Sequence, residues 1–242
     1  MTTDSPGIQS GAVFHTTRWT RVCLAKVDSE DGRRALAELC DAYYEPVVAF
    51  FRCELRNADA AREMSHAFFA QMLGGGAIRT AERERGRFRS YLLGAARHFL
   101  FNQHAAGSRQ KRGGGAAILA IDDEEAREVA DARQVSPDAE FDRQWALTVL
   151  ARALDALKAE CTSEGRTMVF ERVKPWLMGD ADHGDQAGLA AELGLSPSAL
   201  RMSVHRLKQR FRHLVKGEIA GTLDDPAMVD EEMRSLFAAL GG

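Results

Sequence analysis

The chain lacks long apolar runs and clusters of strand-forming residues, and each absence excludes a class of protein. No segment approaches the roughly 18 uninterrupted apolar residues that a membrane span needs. The first 20 residues also lack the charged start and apolar core of a secretory signal. We therefore expect a soluble cytoplasmic protein with no membrane insertion. Because strand formers never gather into alternating runs, the sequence predicts no β-sheet.

Cysteine and catalytic motifs are equally scarce. The four cysteines, Cys23, Cys40, Cys53 and Cys161, lie far apart and form no C-x-x-C pair, which argues against a zinc site or a disulfide framework. We interpret them as reduced thiols, most of them buried. No Ser-His-Asp or Cys-His pairing, phosphate-binding glycine loop or H-E-x-x-H is found in the sequence. We expect no enzymatic activity and no cofactor.

An enzyme that holds a metal ion is nevertheless one alternative. Its ligands would come from the acidic run Asp122, Asp123, Glu124 and Glu125. A metal needs converging His, Asp or Glu ligands, which neighbouring carboxylates in one unstructured run do not supply. The run is therefore interpreted as part of a solvated linker.

Helical periodicity is the dominant pattern that the chain does contain. Ala, Leu, Arg and Glu are abundant, and apolar residues recur at steps of three and four. A length of 242 residues is enough for two small domains, each with its own core. The predicted fold class is all-α, with two small helical domains joined by a flexible acidic linker, the second containing a helix-turn-helix.

The first half is expected to contain an N-terminal segment and one helical domain. Residues 1–33 form the segment, disordered at its start and with a short helix after Thr17. The domain spans residues 34–113, and Pro46 interrupts its first periodic stripe, so a kink or break is predicted there. Asp59 is the expected N-cap of the next helix. A third long helix follows, with basic groups near both of its ends.

Charges of each sign are segregated along the chain, although the net charge is only −3. Residues 79–112 hold nine Arg or Lys against two Glu, and residues 196–216 hold six basic residues and no acid. Residues 122–142 hold nine acids against two Arg, and the tail from Gly217 holds six acids against one Arg. Solvated helix faces usually mix both signs, so these blocks favour a protein that binds a polyanion.

The acidic blocks also suggest where the domains end. Residues 114–137 are predicted to be a flexible acidic linker, because their composition resists packing. Residues 138–217 form the second helical domain, and residues 218–242 form an acidic helical tail. A helix from about Met228 to Leu240 has an apolar face in this tail, which packs back on the core or binds a regulator.

The most specific pattern in the sequence is DQAGLAAELGLSPSALRMSVHRLKQRFRHLV at residues 185–215, which is typical of a helix-turn-helix. Gly194 supplies the turn, and Leu195 fills the angle between the two helices. Ser196 caps the second helix, and Pro197 takes its first position, where a missing N–H costs nothing. The apolar residues of this helix repeat at steps of four and three and form one buried stripe: Leu200, Val204, Leu207, Phe211 and Leu214.

The opposite side of this second helix suits a DNA major groove. Arg bonds guanine bidentately, Gln pairs with adenine, and residues near the N-terminal end of the helix reach base edges. The predicted DNA-binding residues of this face are Ser196, Ser198, Arg201, Met202, His205, Arg206 and Gln209. Arg212 is expected on the same face, with Lys208, Arg210 and Lys216 at phosphates. Four phosphate contacts imply a roughly hundredfold loss of affinity between 50 and 200 mM salt, so a second DNA contact or a large partner is expected.

Three segments carry a resemblance to a known family. ELGLSPSALRMSVHRLKQRFR, AREMSHAFFAQML and GRFRSYLLGAARHFLFNQ with RQKR occur in this chain, and together they resemble bacterial sigma factors of the extracytoplasmic-function branch. The first looks like the helix-turn-helix that reads the minus thirty-five element. The second resembles the helix that docks on the polymerase clamp, and the third resembles the helix that melts and reads the minus ten element. A subgroup with a TRW segment, here Thr17, Arg18 and Trp19, and an acidic tail looks most similar.

The resemblance implies a region 2-like domain at 34–113 and a region 4-like domain at 138–217. Promoter melting requires a basic surface for the strand backbone and groups that hold unpaired bases. The residues expected to contact the minus ten element are Arg87, Arg89, Arg97, His98, Asn102, Gln103, Arg109, Lys111 and Arg112. Phe101 is expected to be exposed and able to stack on a base, whereas Phe99 lies on the inward stripe.

The same resemblance implies a polymerase contact on the second helix. The residues expected there are Glu63, Met64, His66, Phe68 and Phe69. Because adjacent helical residues do not share a face, one of the two phenylalanines is expected in the core and the other at the contact. The implied partners are core RNA polymerase, promoter DNA and an anti-sigma or other regulatory protein.

Several positions depart from the family pattern. These are Glu63 in place of Asp, His66 in place of Gln, Ala67 in place of an acid, His98 and Asn102 in place of Asn and Asp, and Ser203 in place of Arg or Lys. The departures put the clamp affinity and the promoter sequence in doubt. They leave the implied role unchanged.

The expected function is that of a sigma factor that binds core RNA polymerase and directs promoter recognition and transcription initiation. One alternative is a helix-turn-helix regulator whose N-terminal helices sense a signal or dimerise without binding polymerase. A sensor needs an apolar pocket, whereas residues 79–112 offer mostly cations. A second, plainer alternative is a helix hairpin with a glycine turn that serves only as a core element.

Overall fold

The computed structural model describes residues 29–74, 87–111, 135–177, 186–223 and 225–241. Within these ranges the chain forms α-helices and no β-strand, which confirms the all-α class. The helices are α1 (Glu30–Leu55), α2 (Ala58–Gly74), α3 (Phe88–Lys111), α4 (Pro137–Ser163), α5 (Thr167–Leu177), α6 (Gln186–Glu192), α7 (Pro197–Ala220) and α8 (Val229–Leu240). None of these described helices is long and apolar enough to cross a lipid bilayer.

Two predicted features lie outside the described residues. They are the short helix after Thr17 and the acidic linker up to residue 134. The end of the predicted linker is described, and Ser136 there accepts a hydrogen bond from the backbone N–H of Ala139 at 3.1 Å. Ser136 is therefore the N-cap of α4, and Pro137 takes the first position of the helix.

Helix α1 runs through Pro46 without a break, so a break at this residue is ruled out and a kink there stays a prediction. The Ser29 side chain starts the helix by accepting a hydrogen bond from the Gly32 N–H at 3.0 Å. An interior proline costs about 3 kcal/mol. Pro46 itself is buried, and the next turn contributes Phe50 and Phe51, which are 1% and 0% exposed. Burial of two aromatic side chains offsets the cost of the proline.

Helix α2 is capped by Asn57, so the prediction that Asp59 is the N-cap is wrong. The Asn57 side-chain oxygen accepts hydrogen bonds from the backbone N–H groups of Asp59 and Ala60, both at 3.0 Å. Asp59 forms an ion pair with Arg62 at 3.1 Å one turn later. Asn and Asp cap helices equally well, and the cap therefore lies two residues earlier than the pattern indicated. The helix ends at Gly74, the first of three consecutive glycines in the sequence.

Helix α4 is the centre of the fold, since it contacts α1, α5, α7 and α8. Buried residues from α1, α2 and α3 and from the helices after them form a single hydrophobic cluster. Ion pairs also join the two halves, between Arg152 and Asp41 at 2.6 Å and between Arg52 and Glu140 at 3.5 Å. The expected arrangement of two separate domains is therefore not confirmed, and its boundary at residues 114–137 stays a prediction.

The C-terminal helix α8 packs back on α4 and α7. Its start at Val229 and its end at Leu240 agree with the helix predicted from the sequence. Met233 and Leu236 are buried, whereas Phe237 is 59% exposed. The apolar face of α8 is therefore narrower than the sequence indicated, and the helix belongs to the core.

Candidate nucleic-acid interface

Helices α6 and α7 are joined by a tight turn at Gly194. The backbone of Gly194 has a φ of +64°, in the left-handed region that favours glycine. The Leu195 N–H donates to the Ala190 carbonyl at 2.8 Å and closes the turn. The Ser196 side chain accepts a hydrogen bond from the Ala199 N–H at 3.2 Å and caps α7. The glycine, the cap and the proline at the first helical position all have the local roles that the sequence predicted.

One face of α7 is buried as predicted. All five residues of the expected stripe are at most 9% exposed, and they are Leu200, Val204, Leu207, Phe211 and Leu214. Val215 and Ile219 extend the stripe. The buried stripe fixes the rotation of α7 and leaves the opposite face to solvent.

The opposite face of α7 is exposed and cationic. Every predicted DNA-binding residue on it is exposed, namely Ser196, Ser198, Arg201, Met202, His205, Arg206 and Gln209. Met202 is 53% exposed, which is unusual for its type. Within the described ranges, no carboxylate pairs with Arg201, Arg206 or Arg212. These cations therefore remain available to an external anion.

Two other cations of α7 are already paired, which corrects the expectation that they meet phosphates. Arg210 binds Glu160 of α4 through two hydrogen bonds, of 2.8 Å from Nε and 2.6 Å from Nη2. These bonds from Arg210 hold the pKa of Glu160 below its usual value. Lys216 pairs with Asp230 of α8 at 2.7 Å, and this hydrogen bond likewise lowers the pKa of Asp230. Both cations help to hold α7 in place.

Helix α3 carries the other predicted DNA surface, and its C-terminal half is exposed. Phe101 is 72% exposed and Phe99 is 5% exposed, as the sequence predicted. His98 and Asn102 are exposed and hydrogen-bonded to each other at 3.1 Å. Gln103 is exposed beside them. For Arg109 and Lys111 only the helical backbone is described, and Arg112 lies outside the described residues.

The N-terminal half of α3 differs, because its two arginines and the one just before the helix are paired with carboxylates of later helices. Arg97 pairs with Asp138 in the first turn of α4. Arg87, which directly precedes α3, pairs with Glu231 of α8 at 2.6 Å and with Glu232 at 3.1 Å. The expectation that these side chains form an open DNA surface is therefore not met in this conformation.

Arg89 departs furthest from the expectation, since only 9% of its side chain is exposed. Its Nε and Nη2 donate to the carboxylate of Glu232 at 2.5 and 3.2 Å, and its Nη1 donates to Asp142. Its guanidinium lies 4.6 Å from the ring centroid of Trp145, a cation–π distance. Burial is the largest influence on the pKa of Arg89 and lowers it, but Glu232 and Asp142 outweigh burial and raise the pKa. Arg89 is a charged residue of the core.

The predicted polymerase contact on α2 is only partly a surface. Glu63 and His66 are exposed and Met64 is half-buried. His66 Nε2 and the Tyr44 hydroxyl lie 2.9 Å apart, in a hydrogen bond between α2 and α1. A groove of about 500 Å³ follows this pair, and its other lining residues include Cys40, Asp41, Glu45 and Ala70. Burial raises the pKa of the Cys40 thiol to about 11.

The expectation that one of Phe68 and Phe69 is exposed is wrong. Phe68 is 4% exposed and packs edge-on against Phe51 of α1 and Phe99 of α3. Phe69 is 6% exposed and stacks on Tyr44 of α1. Two adjacent residues are both covered because α2 is packed between α1 and α3. Neither phenylalanine exposes more than a small part of its ring to a partner protein.

The described residues contain no group of His, Cys, Asp or Glu side chains that could hold a metal ion. Cys40, Cys53 and Cys161 in the same ranges are thiols outside any disulfide. The acidic run Asp122–Glu125 and Cys23 lie outside the described residues.

Sequence reasoning missed the carboxylates that cover α3. The sequence placed Asp138 and Asp142 in the second helical domain and Glu231 and Glu232 in the tail. Each of the four pairs with an arginine of the basic block at residues 79–112. Glu232 is 0% exposed. The signal was present in the alternation of basic and acidic blocks, because opposite blocks of one chain neutralise each other as readily as they bind a polyanion.

The chain was compared with protein-family models, with curated proteins and with solved structures, and none of the three comparisons found a match.

Proposed function

We propose that this protein is a sigma factor that binds core RNA polymerase and directs transcription initiation at selected promoters. The observation that carries the proposal is the exposed cationic face of α7. Arg201 and Arg206 lie on it without a carboxylate partner in the described ranges, next to Gln209. An Arg and Gln face that begins at a capped helix N-terminus suits base edges in a major groove.

The distal half of α3 supports a second contact with DNA. Phe101, His98, Asn102 and Gln103 are all exposed. An exposed aromatic ring among polar side chains suits unpaired bases, because every base stacks on an aromatic face. The resemblance to the minus ten reading helix rests on this same segment. No catalytic chemistry is part of the proposal.

The proposal is tested by transcription in a defined mixture. The protein is combined with core RNA polymerase and a promoter library, and the transcripts are sequenced. We expect new start sites that depend on the protein and that share two upstream elements. The variant Arg201→Ala/Arg206→Ala is expected to lose these start sites, whereas Arg143→Ala, which removes an exposed cation of α4, is expected to keep them.

The second candidate is a helix-turn-helix regulator that acts without binding polymerase. The burial of Arg89 favours it, since a buried arginine is not available to the second DNA surface that a sigma factor needs. Duplex binding by the protein alone, with no protein-dependent start site in the transcription assay, would establish the regulator. Absence of both duplex binding and start sites would rule out both candidates.

A further inference from the structure

The first turn of α8 covers the N-terminal end of α3. Glu231 and Glu232 of α8 together engage Arg87 and Arg89, with four nitrogen–oxygen distances between 2.5 and 3.2 Å. Met233 and Leu236, which follow them, are buried against the core. The acidic first turn is therefore held against α3 by apolar packing as well as by charge.

These contacts are unlike ordinary surface ion pairs. Exposed pairs contribute little, because water and salt screen them. Glu232 is 0% exposed and Arg89 nearly so, and a buried charge persists only when it is paired and hydrogen-bonded. Acids in the first turn of a helix stabilise its dipole, and Asp230 and Glu231 already do so in α8. The helix dipole therefore does not require Glu232. The burial of Glu232 therefore serves the contact with the arginines.

We propose that α8 is an autoinhibitory element, and that its Glu231 and Glu232 occupy the sites on Arg87 and Arg89 that DNA phosphates would take. The inference rests on the proposed function, because it assumes that the start of α3 binds DNA. Under this proposal the described arrangement is a closed state, in which the face of α7 can bind duplex DNA and the start of α3 is covered.

Competition for the same atoms supports this closed state. Arg89 uses Nε and Nη2 for Glu232 and Nη1 for Asp142. Arg87 uses Nε for Glu232 and Nη2 for Glu231. Each Nε carries a single hydrogen, so a phosphate cannot bond either Nε while Glu232 holds it. At these atoms α8 and the nucleic acid compete for the same donors. Displacement of α8 would free the Glu232-bound nitrogens of both arginines together, while Asp142 of α4 would still hold Nη1 of Arg89.

The experiment measures binding of the full chain to single-stranded DNA. The probe is a fluorescein-labelled oligothymidine, and a labelled duplex measures α7 separately. The test variant is Glu231→Gln/Glu232→Gln, which keeps side-chain volume and removes two charges from α8. The control variant is Glu30→Gln/Glu171→Gln, which removes two exposed charges that pair with Arg34 and Lys158, away from α3.

The test variant is expected to bind the oligothymidine roughly tenfold more tightly than wild type, a common size for coupling between two sites. The slope of log affinity against log salt should steepen by roughly 0.7 to 1.4, at about 0.7 for each cation that a single strand gains. Arg87 loses both of its carboxylate partners, whereas Arg89 keeps Asp142. Duplex affinity and the control variant should be unchanged. Addition of Arg87→Ala to the test variant should remove part of the gain.

The single variant Glu231→Gln guards against a folding failure, because Glu231 is exposed and pairs only with Arg87 in the described ranges. It should give a smaller gain in single-strand affinity with an unchanged melting temperature. Duplex binding with no gain in either variant would overturn autoinhibition and leave the proposed function standing. A protein that binds neither DNA in any variant would overturn both.

Discussion

The two basic surfaces of this protein, on α3 and on α7, look alike in sequence and differ in structure. Each is a run of cations in a helix with few acids. At the start of α3 the arginines are paired with carboxylates, and Arg89 is buried. On α7 Arg201 and Arg206 are exposed and have no such partner among the described residues. A basic block therefore does not identify a nucleic-acid surface until its intramolecular partners are known.

Position in the fold explains the difference. The start of α3 faces the first turns of α4 and α8, and helix first turns favour acids. Asp138, which pairs with Arg97, and Glu232, which pairs with Arg89, lie in those turns. The exposed face of α7 points away from its buried stripe, which packs toward α4 and α8. The nearest acid on that helix is Glu218 near its C-terminal end.

The largest expected effect is on folding stability, at the paired surface. Arg89→Ala leaves Glu232 buried without its main partner, which should lower the free energy of unfolding by about 3–5 kcal/mol. Arg206→Ala removes an exposed cation that has no carboxylate partner among the described residues, and its effect on the free energy of unfolding should stay within about 0.5 kcal/mol. Urea denaturation followed by circular dichroism measures both. Equal values for the two variants would contradict the contrast between the surfaces.

The next effect is on duplex affinity, at the open surface. Arg201→Ala should weaken binding to a recognised site by about 1–3 kcal/mol, or roughly 5- to 150-fold, because it removes the base contact that we propose for this side chain. Fluorescence anisotropy against a specific and an unrelated duplex separates lost specificity from lost charge. Arg172→Ala provides the matched control, since this exposed arginine of α5 pairs with Glu192 and lies outside the proposed face. An equal loss of affinity in the control variant would contradict the proposal that α7 reads DNA bases.

A smaller effect concerns two cations of the same helix. Arg206→Ala should make the plot of log affinity against log salt shallower by about 1, as expected for one phosphate contact. Arg210→Ala should change the slope much less, because Glu160 already neutralises Arg210. Both slopes are measured by titrating DNA affinity at several salt concentrations between about 50 and 200 mM. Identical slopes would show that pairing does not decide which cations serve DNA.

The smallest effect is the pH dependence of the Arg210–Glu160 pair. The pKa of Glu160 is lower in the folded chain than its ordinary value of 4.5. Its stabilising contribution is therefore complete above about that pH and is lost as pH falls through the lower folded value. Being partly exposed, the pair contributes at most about 1 kcal/mol. The difference in melting temperature between wild type and Glu160→Gln should narrow below pH 4.5. A difference that widens there would contradict the predicted direction of the pH dependence.

Local features were predictable from the sequence, and long-range ones were not. Gly194, Ser196, Pro197 and the stripe of α7 follow from backbone geometry and a 3.6-residue period, so neighbouring residues suffice to predict them. The burial of Phe69 depends on contacts with another helix, including Tyr44 of α1. The pairing of Arg89 with Glu232 joins positions 143 residues apart. No local pattern distinguishes a carboxylate that solvates a tail from one that fills a buried site.

The separation between Asp41 and Arg152, 111 residues, has a consequence during protein synthesis. Helix α1 leaves the ribosome long before α4, at a rate of roughly 5–20 residues per second. For roughly 5–20 s the apolar side chains of α1 therefore lack the helix that later covers them. Chains truncated ahead of α4 should aggregate or engage a chaperone, and folding of the whole should be slow for an all-helical protein, because its largest helix contact closes so long a loop.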